Sequence, residues 1–466
     1  MRMKFTWPDK SPVSKGAFKI LQKLRSAGFE AYVAGGAVRD ALLKRKVVEI
    51  DIATSATPLQ VKKLFAKTIP TGEKHGTLTV RGHKSNYEVT TFRTEGAYEE
   101  RRHPKSVKFV ASAEKDAQRR DFTLNALFYD PTNSEIIDYV DGIVDLRRNR
   151  IRTVGSPNAR LREDALRLLR AIRFATVLNL DIERETRKAV KINAKLILKI
   201  SAERIKSELD KIMSSDRASA GIGMMDELGL LKLILPELKA CQGVTQPRNQ
   251  HREGDVYTHS LLALEQINEE FDLPTRYAVL LHDIGKAQTR VIRTDKITFY
   301  NHQNVGAELV KKICRRLRFS KADEEKISWL VKAHMVPNDF LAMRLSRRRK
   351  WGLAPYFADL LRVYWADASA SLGPSGRGDS NPRGYREGQK ILTEIIKFPA
   401  LKKPLISGND VMRILKIKPG PQVGKILEAL EEKKLSGKIS TGKQALAYLK
   451  SNKKFYYATV RVRSTS

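Results

Sequence analysis

Glu49 and Asp51 are separated by one residue in a stretch of β-forming character, and side chains at i and i+2 of a strand leave the same face. Two carboxylates converging there can hold divalent cations about 3.5–4 Å apart, one cation lowering the pKa of an attacking hydroxyl and both neutralising charge on a transferred phosphorus. Magnesium suits such hard oxygen ligands. Glu88, in the alternating run Tyr87-Glu-Val-Thr-Thr-Phe92, can join them from a neighbouring strand. An isolated pair of this kind also marks ordinary solvent-facing strand ends, and the third acid tilts the reading toward chemistry. Just upstream, Val33-Ala-Gly-Gly-Ala-Val-Arg-Asp40 reads as a strand that turns through Gly35 and Gly36 into a helix. Glycine has no Cβ to keep a phosphate away from the backbone, and the start of a helix offers N–H donors.

His259, the adjacent His282 and Asp283, and Asp367 form a second set. Imidazoles and carboxylates drawn from several helices can surround one divalent metal, Mg2+ or a transition ion, and leave a position for an activated water. A lone buried histidine is more often structural than a ligand, so the ordered set carries more weight than any member.

The elements that must position these groups fall into an α+β pattern. Between residues 29 and 139 short β-rich runs at 31–34, 76–80 and 87–92 alternate with helical stretches such as 58–65. From residue 160 the apolar positions Leu161, Ala165, Leu168, Leu169 and Ile172 recur at helical spacing, and helical texture continues to about residue 398. A Gly-, Pro- and Ser-rich run at 373–384 has the composition of an exposed linker, with a domain boundary expected near it. Beyond it, 406–449 reads as a small helical module with Pro419-Gly-Pro421 starting a helix. The basic, aromatic end at 453–463 can stack on unpaired bases. The expected segments are a leader at 1–28, a head at 29–150, a helical neck at 151–245, a metal-binding helical domain at 246–372, a linker and helix at 373–403, and a basic tail at 404–466.

Composition narrows the partners. The chain has 466 residues, and 87 Lys+Arg against 52 Asp+Glu leaves a net charge of +35, which excludes an acidic solvating protein. With 41% hydrophobic residues it can build proper cores rather than remain a basic tail. Such an excess favours polyanions, nucleic acid ahead of a membrane surface, because each phosphate neutralised releases a counterion. No apolar run approaches the ~18 residues that span a bilayer, and the start lacks a signal segment, so a cytoplasmic location is expected. Cys241 and Cys314 lie far apart with no CxxC, which indicates neither a disulfide framework nor a zinc site. Two motifs are set aside. Residues 437–444 nearly spell a P-loop, but Gln444 stands where a magnesium-binding Ser or Thr is needed; Arg347-Arg-Arg-Lys350 reads as a solvated helix end.

Gly35-Gly-x-Val-Arg-Asp40, Glu49-x-Asp51 followed by 52–58, residues 76–93, Asp116-Ala-Gln-Arg-Arg-Asp121 and Glu163-Asp-Ala-Leu-Arg167 occur in that order. Residues 29–235 thereby resemble the class II tRNA nucleotidyltransferase and bacterial poly(A) polymerase family. The resemblance implies a polymerase-β-like α/β head followed by a mostly helical neck, magnesium on Glu49 and Asp51 with Glu88 beside them, and nucleotide binding by Gly35, Gly36, Arg39, Arg119, Arg120, Asp121 and Asn125. It assigns Asp164 and Arg167 to choosing CTP and ATP. Spaced i,i+3 on a helix they share a face, a carboxylate accepting from the exocyclic amine and a guanidinium donating to the ring nitrogen. Arg170 and Arg173 extend that face toward triphosphate or RNA. The family usually has Asp where this chain has Glu49, whose extra methylene moves the carboxylate outward.

Residues 93–104 resemble the loop that switches family members from C to A addition, although Glu100-Arg-Arg-His-Pro104 replaces the usual Asp-Gly-Arg-His-Pro. Residues 72–76 lack the basic, Phe-containing pattern of dedicated poly(A) polymerases. Tyr257-Thr-His-Ser-Leu261 and Leu280-Leu-His-Asp-Ile-Gly-Lys286 resemble the HD phosphohydrolase superfamily, with His302 and His334 as further ligands and Lys286 and Arg290 as phosphate holders. The expected activity is addition of CCA to tRNA from CTP and ATP, with metal-dependent hydrolysis at RNA ends in the HD domain. The alternatives are a poly(A) polymerase, an A- or CC-adding enzyme and, of another class, an HD phosphohydrolase or noncatalytic RNA-binding protein with a vestigial head.

Overall fold

The computed structural model describes residues 1–82, 85–95, 98–99, 103–104, 107–247, 251–293, 296–372 and 377–453. Contacts divide the chain into two compact units, Met1–Lys239 and Ala240–Ser466.

The first unit is built on an eight-stranded sheet. Its strands are β1 (Arg2–Lys4), β2 (Ala31–Ala34), β3 (Asp51–Thr54), β4 (Thr68–Gly72), β5 (Thr77–Arg81), β6 (Asn86–Thr91), β7 (Leu127–Asp130) and β8 (Glu135–Asp138), in the order β1-β8-β7-β2-β3-β6-β5-β4. The β3–β6 pair is parallel and the other neighbours are antiparallel. Ala34, Ala53, Phe92, Phe128 and Ile137 pack in one core cluster, with Phe92 and Phe128 edge to face at 6.3 Å. Residues 1–28, expected only to lead into the head, supply the edge strand β1 and the helix Pro12–Ser26. That helix buries Ala17, Ile20, Leu21 and Leu24, one stripe at helical spacing, and fully burying an Ile or Leu contributes roughly 1.5–3 kcal/mol.

The neck departs from the continuous helix expected through residues 160–172. Pro157–Glu163 and Leu166–Leu178 are separate helices, and Asp164 between them is extended at φ −131, ψ 107. Its Oδ1 accepts from the backbone N–H of Leu166 at 3.1 Å, the local side-chain bond by which Asp interrupts one helix and starts another.

The second unit is helical, with Val256–Glu265, Leu273–Leu281, His302–Arg316, Lys321–Ala333 and Phe357–Ala370 forming its first part. The basic run at 347–350 is more than a solvated end: Arg348 pairs with Glu387 at 3.0 Å and Arg349 with Glu394, tying Leu345–Gly352 to the helix Arg383–Lys397. Helices Gly408–Leu415, Pro421–Leu435 and Gly442–Ser451 enclose their own core of Val411, Leu415, Ile426, Leu430 and Leu449. Gln444, which disqualifies the P-loop, closes a capping box with Thr441 at the start of the last helix. Both sides of the 373–384 segment lie in this unit. Of the expected features, residues 96–97 and 100–102 of the loop at 93–104 and the basic aromatic end at 454–463 lie outside the described residues. Among the described residues no helix is long and apolar enough to cross a membrane.

Candidate active site

Glu49 and Asp51 are exposed while Ile50 between them is buried, so both acids leave the same side of the chain at the start of β3. The parallel register Ile52 to Val89 puts Glu88 one step back on β6, next to Asp51, where it too is exposed between buried Tyr87 and Val89. Crowding around the Asp51 carboxyl, then the charge of Glu88 and, more weakly, of Glu49, push its pKa up to about 6 against the pull of Arg120. Three acids on one face, with the charges of Glu88, Glu49 and Arg120 all felt at Asp51, supply hard oxygen donors of the kind a divalent cation takes.

On the other side of β3, Ala34 pairs with Asp51, so the glycine turn begins beside the acids. Gly35 has φ 70, ψ −124, and a Cβ there would lie 3.0 Å from Arg120 Nη1. Gly35→Ala should therefore cost about 1–3 kcal/mol in a denaturant titration, the cost of a side chain in a backbone region almost reserved for glycine.

Asp116, only 1% exposed, holds both arginines of the nucleotide motif. Its Oδ1 accepts from Arg119 Nε and Nη2 at 2.8 and 2.6 Å, and its Oδ2 from Arg120 Nε and Nη2 at 3.1 and 3.0 Å. Arg120 Nη1 also donates to the Asn125 carbonyl at 2.9 Å. Asn125 Oδ1 accepts from Arg39 at 2.7 Å, and its Nδ2 donates to Asp121 at 3.2 Å. Asp121 in turn accepts two bonds from Arg170, at 2.8 and 2.5 Å. Burial alone would raise the Asp121 pKa; the guanidiniums of Arg170 and Arg167 overcome this and hold it well below the usual carboxylate range. One network thus runs from the neck helix to the glycine turn.

Asp164 and Arg167 lie near enough to this network for their charges to act on it, Arg167 on Asp121 and Asp164 on Arg170. They are not two residues on one helix face, as their spacing suggested: Asp164 sits in the break and Arg167 in the first turn of the next helix. Each has a protein partner. Asp164 Oδ2 accepts from Arg204 at 2.8 Å, and Arg167 Nη1 donates to Glu163 at 2.6 Å. Arg173, expected to extend the basic face, pairs with buried Glu208 at 2.6 Å, and burial brings its pKa down to about 10 despite that carboxylate. Sequence reasoning assigned no role to Asp116, Arg204 or Glu208. The i,i+3 and i,i+4 spacing of Asp116 to Arg119 and Arg120 was a usable signal; the other pairings join distant segments and had none.

In the second unit the expected HD residues converge. His259 Nε2 lies 3.2 Å from His282 Nε2 and 3.0 Å from Asp367 Oδ1, and Asp283 Oδ2 lies 3.3 Å from His282 Nε2. Asp283 turns its other oxygen, Oδ1, to His302 and His334 at 3.4 and 3.6 Å. That buried oxygen has no hydrogen-bond partner, so an anionic atom faces imidazole nitrogens from inside the protein, an arrangement that fits a cation. Lys286 Nζ contacts Asp283 Oδ2 at 2.6 Å and donates to Gln246 at 2.7 Å; exposed Arg290 donates to the Gly243 carbonyl at 3.1 Å instead. Burial opposes charge on His282, but Asp283 and Asp367 raise its pKa to about 10. Gly285 is required by packing, because a Cβ there would run into the His302 carbonyl.

A mixed sheet presenting acids beside a glycine turn, joined in one chain to a histidine and aspartate cluster, defines a nucleotidyltransferase carrying an HD domain. Family models agree: the poly(A) polymerase head domain matches residues 31–152, a probable RNA and SrmB-binding site of polymerase A matches 179–242, the HD domain matches 256–368, and tRNA nucleotidyltransferase domain 2 matches 389–449. The CCA-adding enzyme of Ligilactobacillus salivarius is 33% identical over 434 residues, 93% of this chain and 95% of that one. The A-adding tRNA nucleotidyltransferase of Deinococcus radiodurans is 37% identical over 356 residues, 74% and 80% of the two chains. The Bacillus stearothermophilus CCA-adding enzyme, solved in complex with CTP, superposes with a TM-score of 0.70 at 28% identity over 96% of this chain and 100% of that one. The chain belongs to the family of CCA-adding tRNA nucleotidyltransferases, whose nucleotidyltransferase and HD domains typically use divalent metals.

Proposed function

We propose that the enzyme adds C, C and A to the 3′ end of tRNA, consuming CTP and ATP and releasing pyrophosphate at each step without a template strand. The observation that carries this reading is the convergence of Glu49, Asp51 and Glu88 on one face beside the glycine turn and Arg120. Glu49 and Asp51, with Glu88, would hold Mg2+. Bound there, the cation would neutralise charge on the triphosphate and acidify the attacking terminal hydroxyl. Gly35 and Gly36 leave room for phosphate, and Arg39, Arg119 and Arg120 offer it guanidinium donors in fixed geometry. Asp121 and Asn125 keep those donors in place.

Asp164 and Arg167 would stand in for a template base, reading the amine and ring nitrogen shared by cytosine and adenine. To do so Asp164 exchanges Arg204, and Arg167 exchanges Glu163, for the nucleotide. Arg170 and Arg173 serve from behind, bracing Asp121 and pairing with Glu208. Head 29–150, neck 151–245 and the parts beyond would divide the work, the helical remainder gripping the tRNA by phosphate contacts. At 246–372, His259, His282, Asp283 and Asp367, with His302 and His334, would bind divalent cations for hydrolysis of phosphate at RNA ends. With both cysteines buried as thiols, the reading places this work in the cytoplasm.

Incubating the enzyme with a tRNA that lacks its last three nucleotides, CTP and ATP, and sequencing the products, should return ends in CCA. Ends carrying only A, only CC or an A tract would replace this reading with one of the partial enzymes or with a poly(A) polymerase.

A further inference from the structure

Four imidazoles turn Nε2 toward the cluster in the second unit, and each needs its Nδ1 anchored to hold that pose. Three are anchored by their own backbone: Nδ1 of His282, His302 and His334 donates to the carbonyls of Val279, Phe299 and Val331, at 2.8, 2.8 and 2.7 Å. His259 differs. The carbonyl three residues before it, that of Val256, accepts from the Ser260 hydroxyl at 2.9 Å. Nδ1 of His259 instead donates to Glu253 Oε1 at 2.9 Å.

Glu253 lies ahead of the residues matched by the HD model, 256–368, and its side chain is fully buried. Oε1 also takes a bond from His251 Nδ1 at 2.6 Å, and Oε2 accepts from the backbone N–H of Leu372 at 2.9 Å. Leu372 follows the helix that carries Asp367, and its carbonyl accepts from Arg252 N at 2.9 Å. One carboxylate therefore joins the segment before His259 to the segment after Asp367. Its two oxygens thus take N–H donors from His251, His259 and the Leu372 backbone, and a carboxylate so surrounded only accepts.

We propose that Glu253 is a positioning residue for a divalent cation in this unit: it keeps the proton of His259 on Nδ1, so that the Nε2 lone pair faces the cation, and ties that imidazole to the backbone beyond Asp367. The inference rests on reading the cluster as a metal centre. Carboxylates behind a ligating histidine act in this way, and their loss typically costs about 10- to 100-fold in metal affinity.

The test uses the full-length chain and Zn2+, which imidazole ligands favour, with affinity measured by competition against a chelator. Glu253→Gln keeps the size of the side chain but has a single acceptor oxygen. If that oxygen stays on Leu372 N–H, the amide N–H₂ faces the imidazoles and drives the His259 proton to Nε2. Glu253→Gln should therefore weaken Zn2+ binding roughly 10- to 100-fold, with metal-free unfolding temperature near that of the wild type. The ¹⁵N shifts of His259 should report the change of tautomer. Glu253→Ala, which leaves Nδ1 to water, should lose less; a purely packing role predicts the reverse order. Affinity of Glu253→Gln within twofold of wild type, while His282→Ala abolishes binding, would overturn the role of Glu253 alone. Binding unaffected by His282→Ala would overturn the metal-centre reading and this inference with it.

Discussion

Asp51→Asn should lower incorporation of labelled CTP and ATP into tRNA by about 10³-fold or more, while the protein stays folded and still binds tRNA. The amide keeps the shape of the side chain but is a poor cation ligand. Losing the several kcal/mol of charge stabilisation that a correctly held cation supplies costs about tenfold for each 1.36 kcal/mol. Asp51 also sets the pH dependence. Its carboxyl is raised to about 6 by its crowded surroundings, then by Glu88, with Arg120 opposing. Proton and cation compete for the same oxygens, so kcat/KM at limiting Mg2+ should climb with pH through about 6 and level off above it. Glu88→Gln removes a like charge and should move that rise to lower pH.

The linkage to stability has the opposite sense. A carboxyl whose folded pKa of about 6 exceeds its ordinary value of 3.8 favours the folded state below 3.8, and this contribution is lost as pH rises through 6. At pH 7 and above Asp51→Asn should therefore unfold at the same temperature as the wild type or a higher one, separating lost chemistry from lost structure. A variant retaining a tenth of the wild-type incorporation would show that the acids of β3 are not the catalytic centre.

The largest effect on stability is expected at Asp116. Asp116→Ala removes the buried carboxylate that accepts four guanidinium N–H bonds and takes away the negative charge shared by Arg119 and Arg120, which are 16% and 18% exposed. Breaking a buried pair from one side costs about 3–5 kcal/mol, and the residual solvent access of the arginines favours the lower figure. Against a total of about 5–15 kcal/mol that loss is large, and a shift in urea midpoint at unchanged slope would measure it. KM for CTP and ATP should rise as well, because Arg119 and Arg120 lose their fixed orientation. A loss below about 1 kcal/mol would mean that water already compensates these charges.

The acids of the head were legible because strand periodicity is local. Glu49 and Asp51 must share a side if the chain is extended there, and the alternation around Glu88 carries the same information. The HD residues were legible for another reason: their types are rare enough in such an order to single them out. The break at Asp164 was hidden, since Leu161, Ala165, Leu168, Leu169 and Ile172 are all buried and the apolar rhythm passes through the interruption undisturbed. The basic run at 347–350 looked solvated because its acidic partners, Glu387 and Glu394, lie about forty residues away.

By itself, then, the order of residues determined which groups are available and which neighbours share a face, because steric and periodic constraints act over a few residues. Only the tertiary structure decided which charges neutralise one another: Asp164 with Arg204, Arg173 with Glu208, Glu253 with His259 and the backbone of Leu372. Those pairings depend on desolvation and on distances of about 3 Å between segments far apart in the chain, and both exist only after the core has closed around them.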